Sequence, residues 1–214
     1  LARVRRWCFA DDARFAGLDA LPARPRLFAE GAANHGGLCA SRGGPGLHVC
    51  CYGSPAGATT DESCGTRVFS ARQSEDASVA VARRHGVLER AVFVRQNPAA
   101  IDAGVFHNDV ISVGNGSVLL LHDHAFADTE AEIEKIGQAF GEVVGGELAV
   151  FRVGNDDLTV AEAVGTYLFN SQLVTMPDGS MLLVAPIEVE AHDRARGVAD
   201  RLVAEVDAVR AVRY

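Results

Sequence analysis

The order strand, strand, helix, strand recurs along this chain of 214 residues, and no other feature restricts its fold as much. A short strand pair buries a face only when a helix crosses over it, so repetition of that order favours an α/β protein of small repeated units over a sandwich or a helical bundle. The units share no sequence period. After Gly46, "LHVCCYG" reads as a strand and "GSPAGATTDESCG" as an exposed loop. Ser74 to Gly86 predicts a helix, with serine and acids in the first turn, arginines near the last, and glycine as the stop. Strand "AVFVRQ" and an irregular "NPAAIDAG" follow. The run from Val110 to Leu121 predicts a hairpin turning at Asn115 and Gly116, because both tolerate the positive φ of a type I′ turn. Asp128 opens a second helix, with Ile133, Ile136, Phe140, Val143 and Val144 on one stripe. Strand "ELAVFRV", a short helix near "LTVAEAV", strand "TYLFNSQLVTM", the turn "PDG", strand "MLLVAPIEV" and an amphipathic helix from about Asp193 to Val209 complete the order. "AVRAVRY" reads as a strand beginning and the chain opens on Leu1 without methionine, so both ends read as cut.

A turn at Asn115 and Gly116 places Val113 opposite Val118, Ile111 opposite Leu120, Asp109 opposite His122, and His107 opposite His124. Those four polar residues then share one face at the open end of the hairpin. Three imidazoles and a carboxylate fit a first shell for zinc or iron. They equally fit a general acid–base histidine with a carboxylate partner, or ordinary polar residues at a strand end. Glu30, in "LFAEGAANHGGLCA", stands among small residues that cannot cover it, which leaves either a solvated acid or a carboxylate that meets a cation. Arg72 precedes the helix predicted from Ser74. There its guanidinium is either a surface charge or, with the free amides of the helix start, a carboxylate receptor. A bipolar substrate would need both kinds of site, with Glu30 and Asp109 on its cationic end.

Composition narrows the class. Hydrophobic residues make up 48% of the chain, enough for a real core, and the net charge of −8 offers no basic footprint for nucleic acid or anionic membranes. Apolar runs are strand-sized, far below the ~20 residues that span a bilayer, which favours a cytoplasmic location. The five cysteines, Cys8, Cys39, Cys50, Cys51 and Cys64, are odd in number and lack CxxC spacing. They read mostly as buried thiols, not as a disulfide framework or a zinc site.

The words "EGAANH", "NPAAIDAGVFHNDVISVGNG", "HDHAF" and "YLFNSQLVT" together resemble the N-succinylarginine dihydrolases, a family of the guanidino-modifying pentein superfamily. The resemblance covers nearly the whole chain. It implies an α/β-propeller of ββαβ units, of which residues 1–214 form a single partial domain holding about the middle blades. It also implies hydrolysis of N2-succinyl-L-arginine to N2-succinylornithine, carbon dioxide and two ammonia molecules, with no cofactor and no metal. On the matching positions, Glu30 and His107 resemble the catalytic carboxylate and histidine, and Arg72 and Asp109 resemble substrate-binding residues. His122 and His124 remain as supporting residues. The implied partner is the small-molecule substrate alone, without nucleic acid or membrane; a homodimer is compatible with it. The family's nucleophilic cysteine sits in a glycine-rich segment of the type "NGGGPAC". None of the five cysteines here has that context, so the piece is expected to be inactive alone. A metal-dependent hydrolase using the hairpin cluster, or a non-catalytic module, are the alternatives.

Overall fold

A computed structural model of the chain describes residues 8–11, 15, 18, 20–22, 24, 27–29, 31–41, 43–58 and 60–214. Three three-stranded sheets follow one another in chain order. The first joins β1 (His35–Cys39), β2 (Gly46–Tyr52) and β3 (Ala91–Arg95); the second β4 (Ser112–Asn115), β5 (Val118–His122) and β6 (Ala149–Val153); the third β7 (Gln172–Thr175), β8 (Met181–Val184) and β9 (Val209–Arg213). In each, the first two strands pair antiparallel and the third runs parallel to the second. A parallel return needs a crossover, and the helices Glu75–Arg84, Thr129–Val143 and Asp193–Glu205 supply it. The recurring order expected from sequence is therefore present as three ββαβ units in a mixed α/β fold.

Local chemistry starts these helices where the sequence indicates. The Ser74 hydroxyl accepts from the Ala77 amide at 3.1 Å, and the Asp128 carboxylate from Ala131 at 3.2 Å. Thr159 and Glu162 close a reciprocal capping box at the start of Val160–Thr166.

β5 explains how the units hold together. All five of its residues are buried, and successive side chains point to opposite faces. Leu119 and Leu121 enter a core with Leu38, Leu47, Val92 and Val94 of the first sheet, closed by Ile136 and Phe140. Val118 and Leu120 enter the second core, with Phe169, Leu173, Met181 and Leu183 of the third unit. The middle sheet is thus covered on both faces, and β1 packs against β4 as β4 does against β7. The apolar stripe expected on Thr129–Val143 and its cap lies in the first of these cores.

Several boundaries differ from the sequence reading. The register pairs Val113 with Leu120 and Asn115 with Val118, so Gly116 and Ser117 form the turn. Gly116 takes the positive φ, at 58°. The segment "TYLFNSQLVTM" is no single strand. Its first residues end a helix, Leu168–Asn170 is a 3-10 turn, and only Gln172–Thr175 pairs. In "MLLVAPIEV" the strand stops at Val184, and Pro186 caps the short helix Ile187–Ala191. The last helix ends at Glu205, and β9 begins at Val209. "NPAAIDAG" holds a helix, Pro98–Asp102, capped by Asn97, and the loop after β2 contains a turn of helix at Asp61–Cys64. β1, with two glycines in "HGGLC", is recognisable only through its pairing with β2. Among the described residues, no helix is long and apolar enough to cross a membrane.

Candidate active site

Each first strand of a unit is entered through a 3-10 turn: Gly31–Asn34 before β1, Asn108–Val110 before β4, and Leu168–Asn170 before β7. Because those first strands are neighbours, the three turns meet. The Asn108 amide donates to the Asn34 side-chain oxygen at 3.0 Å, and the turn Asn108–Val110 packs against the turn Leu168–Asn170. A cavity of about 370 Å³ opens beside them, with His35, Asn108, Asp109, Ser112 and Gln172 among its polar lining. That volume lies in the range of small-molecule sites.

Asp109 is the charged group of this cavity. It is partly buried, and loss of hydration raises its carboxyl above the ordinary carboxylate value. The charge of His107 and the Asn170 hydrogen bond act in the opposite sense. His107 flanks the same turn from the preceding extended position, two residues before Asp109 in the chain. Next to it, the Phe106 ring lies under the Arg72 guanidinium, whose central carbon is 4.2 Å from the ring centroid. Arg72 is exposed and stands two residues before the N-cap Ser74, at the helix start foreseen from sequence. The fold therefore brings Arg72, His107 and Asp109 to one neighbourhood. Glu30 lies outside the described residues; in the chain it directly precedes Gly31.

The hairpin cluster does not form. Residues 108–110 are a 3-10 turn, so His107 and Asp109 have no cross-strand partners on β5. His122 is fully buried. Its Nδ1 accepts from the His124 amide at 3.0 Å, so Nε2 carries the proton and donates to the Leu158 carbonyl at 2.8 Å. With both nitrogens engaged by backbone, His122 is a satisfied core residue and has no lone pair left for a metal. Among the described residues, no three His, Cys, Asp or Glu side chains converge as a metal site requires.

The cysteines follow the buried reading in the main. Cys50, Cys51 and Cys64 are buried, Cys39 is partly covered and Cys8 is exposed. Burial pushes the Cys50 thiol up to about 11. It pushes Cys51 higher still, with a smaller contribution from the Glu132 charge. Both are protonated, and so poor nucleophiles, near neutral pH.

Sequence reasoning missed Asn170 and Asp102. The Asp102 carboxylate accepts from the amides of Arg67, Val68 and Phe69 at 2.8–3.1 Å. These bonds, that from Val68 first, hold its carboxyl below the ordinary value. They fix the loop from which Phe69 meets Phe106 edge-on, 5.0 Å between centroids. An aspartate at a helix C-terminus followed by small residues signals none of this, since the amides it binds lie more than thirty residues earlier.

A family model described as succinylarginine dihydrolase matches residues 2–214. An N-succinylarginine dihydrolase of Burkholderia mallei is 47% identical over 206 residues, covering 96% of this chain and 45% of that protein. Those of Burkholderia thailandensis and Chromohalobacter salexigens are each 46% identical, covering 96% and 90% of this chain and 45% and 42% of theirs. The chain thus spans less than half the length of these relatives.

Proposed function

The chain belongs to the succinylarginine dihydrolase family, and from that premise we propose that the complete protein hydrolyses N2-succinyl-L-arginine to N2-succinylornithine, carbon dioxide and two molecules of ammonia. The observation that carries this reading to particular side chains is the meeting of His107, Asp109 and the Arg72–Phe106 stack at one end of the strands.

The chemistry assigns each a task. A guanidinium carbon is resonance-stabilised and yields to a strong nucleophile such as a thiolate. Asp109 accepts guanidinium hydrogens and holds the charge in place, and Glu30 is proposed as the second carboxylate acting on it. His107 gives a proton to the departing ammonia and takes one from the attacking water. Arg72, held by its ring contact, binds a carboxylate of the succinyl-amino acid and sets its distance from the guanidinium. Since none of the five cysteines stands in a glycine-rich segment of the expected type, and Cys50 and Cys51 are held as thiols, the nucleophile is proposed to lie in a part of the complete protein that this chain does not span. In the same reading, the three ββαβ units are consecutive blades of a pentein α/β-propeller, and the enzyme is cytoplasmic.

Incubation of the complete protein with N2-succinylarginine should release two equivalents of ammonia, and His107→Ala should abolish the release. Release of one equivalent with a ureido product would assign a deiminase instead. No release above the His107→Ala background would sink the assignment.

A further inference from the structure

We propose that Phe106, braced by Phe69 and Asp102, is a positioning residue for the Arg72 guanidinium and makes the site selective for the length of its ligand. The inference rests on the reading of Arg72 as the carboxylate receptor and extends it to three residues with no part in recognition assigned so far.

The stack shows how this works. An arginine on a surface samples many rotamers, and a ligand that has to immobilise it loses affinity in doing so. With the Arg72 central carbon 4.2 Å from the Phe106 centroid, the ring already holds one face of the guanidinium. The guanidinium donors lie in its plane, so stacking on a ring does not compete with an in-plane, two-pronged contact to a carboxylate. Phe106 directly precedes His107 and stands three residues before Asp109. The ring that orients the carboxylate receptor therefore belongs to the same stretch of backbone as the residues assigned to the guanidinium end, which fixes the spacing between the two ends.

Phe106 is itself held from two sides. Along its backbone, the preceding Val105 is fully buried, and the Val105 carbonyl accepts from the Gln96 side chain at 2.8 Å. Across its ring, Phe69 meets it at 83° with centroids 5.0 Å apart, the edge-to-face arrangement that aromatic pairs favour. Phe69 is 42% exposed, so burial does not anchor it. Its amide, with those of Arg67 and Val68, instead donates to the Asp102 carboxylate at 2.8–3.1 Å. Asp102 ends the helix Pro98–Asp102, whose Ala100 and Ile101 are buried. A continuous line of contacts thus runs from the core through Asp102, Phe69 and Phe106 to Arg72. A ring left as exposed as Phe69 adds little to stability, and its part in this line is what it contributes.

The test uses the complete protein with N2-succinylarginine and with N2-succinylhomoarginine, one methylene longer. Phe106→Leu should raise KM for succinylarginine about tenfold with kcat changed less. It should also lower the preference for succinylarginine over the longer homologue, since a loosened Arg72 follows the ligand. Phe106→Tyr keeps the ring and should restore both. Phe69→Leu, a surface change that folding tolerates, and Asp102→Ala should each give part of the same effect. A double-mutant cycle separates positioning from structure: Phe106→Leu should cost little when added to Arg72→Ala, because the group it acts through is gone. Equal cost on both backgrounds, or an unchanged preference between the homologues, would overturn the inference while leaving Arg72 its role. Arg72→Ala with unchanged KM would remove the reading of Arg72 and the inference with it. Calorimetric binding of N2-succinylornithine, which retains the carboxylates, repeats the cycle without turnover: Kd should rise in Phe106→Leu, and the double variant should bind no more weakly than Arg72→Ala.

Discussion

On sequence spacing His122 and Asp109 share one face of a hairpin; in the fold they have opposite tasks. Asp109 is a partly covered carboxylate at a cavity, and its replacement by asparagine keeps the shape while removing the charge. Asp109→Asn should raise KM for succinylarginine at least about tenfold, checked by steady-state kinetics on the complete protein. His122 is a core residue whose burial lowers its pKa from the ordinary 6.5 and whose nitrogens are both bound to backbone. The folded state keeps it neutral, and as pH falls the unfolded chain takes up the proton first. Its contribution to stability is therefore complete above about pH 6.5, declines as pH falls towards the folded-state value, and levels off below that. Denaturant midpoints of the complete protein between about pH 7 and 5 should fall more steeply than those of His122→Asn, which cannot titrate. Equal slopes would remove His122 from the pH dependence. A residual slope is expected in the variant, because burial also lowers His35 and His48, whose Nε2 and Nδ1 lie 2.9 Å apart.

At the scale of elements, the turn between β4 and β5 separates what was legible from what was not. Asn115 and Gly116 carry the strongest local hairpin signal, yet Asn115 is the last paired residue of β4. Its side chain donates to the Leu173 carbonyl and to the Thr175 hydroxyl, both at 2.8 Å, on β7. Those tertiary bonds win over local turn preference, and each cross-strand partner moves by two residues. Faces are unchanged by a shift of two, so the apolar pattern is legible in the sequence while the partners of His107 and Asp109 are not. The crossover helices were legible because caps and stripes are local signals. The 3-10 turns that bear Asn34, Asn108 and Asn170 were not, because their bonds reach between units. Gly116 tests the revised turn: at φ 58°, an alanine there costs about 1 kcal/mol in backbone strain. Its Cβ would also come 2.5 Å from the Met181 methyl, at the end of a flexible side chain. Gly116→Ala should lower the stability of the complete protein by about that amount or more, measured by chemical denaturation. An unchanged midpoint would mean that another residue carries the turn.

For the whole molecule, the two cores are unequal in what surrounds them. The middle sheet is covered on both faces, whereas the third unit leaves Val174 at 42%, Val184 at 43%, Ile187 at 59% and Tyr214 at 42% exposure. Scattered apolar residues are ordinary on a surface, but the register puts Val174 and Val184 on one face of the third sheet together with Leu182, and an apolar sheet face favours cover. Each side chain of that size contributes ~1.5–3 kcal/mol on full burial, against a total stability of ~5–15 kcal/mol for a folded domain. The relatives extend to more than twice this length, and in the complete protein additional chain is expected to lie on that face. Residues 1–214 expressed alone should therefore bind hydrophobic dye more strongly than the complete protein, with a lower thermal midpoint. They should release no ammonia from succinylarginine even with Glu30, Arg72, His107 and Asp109 intact, because none of the five cysteines stands in the glycine-rich context expected of the nucleophile and Cys50 and Cys51 are held as thiols. A monomer with one cooperative transition and no excess dye binding would show that the third unit is stable uncovered. Turnover by that monomer would require one of its own five cysteines to serve as nucleophile, and Cys8 or Cys39, the two that are not buried, would be the first to replace by serine.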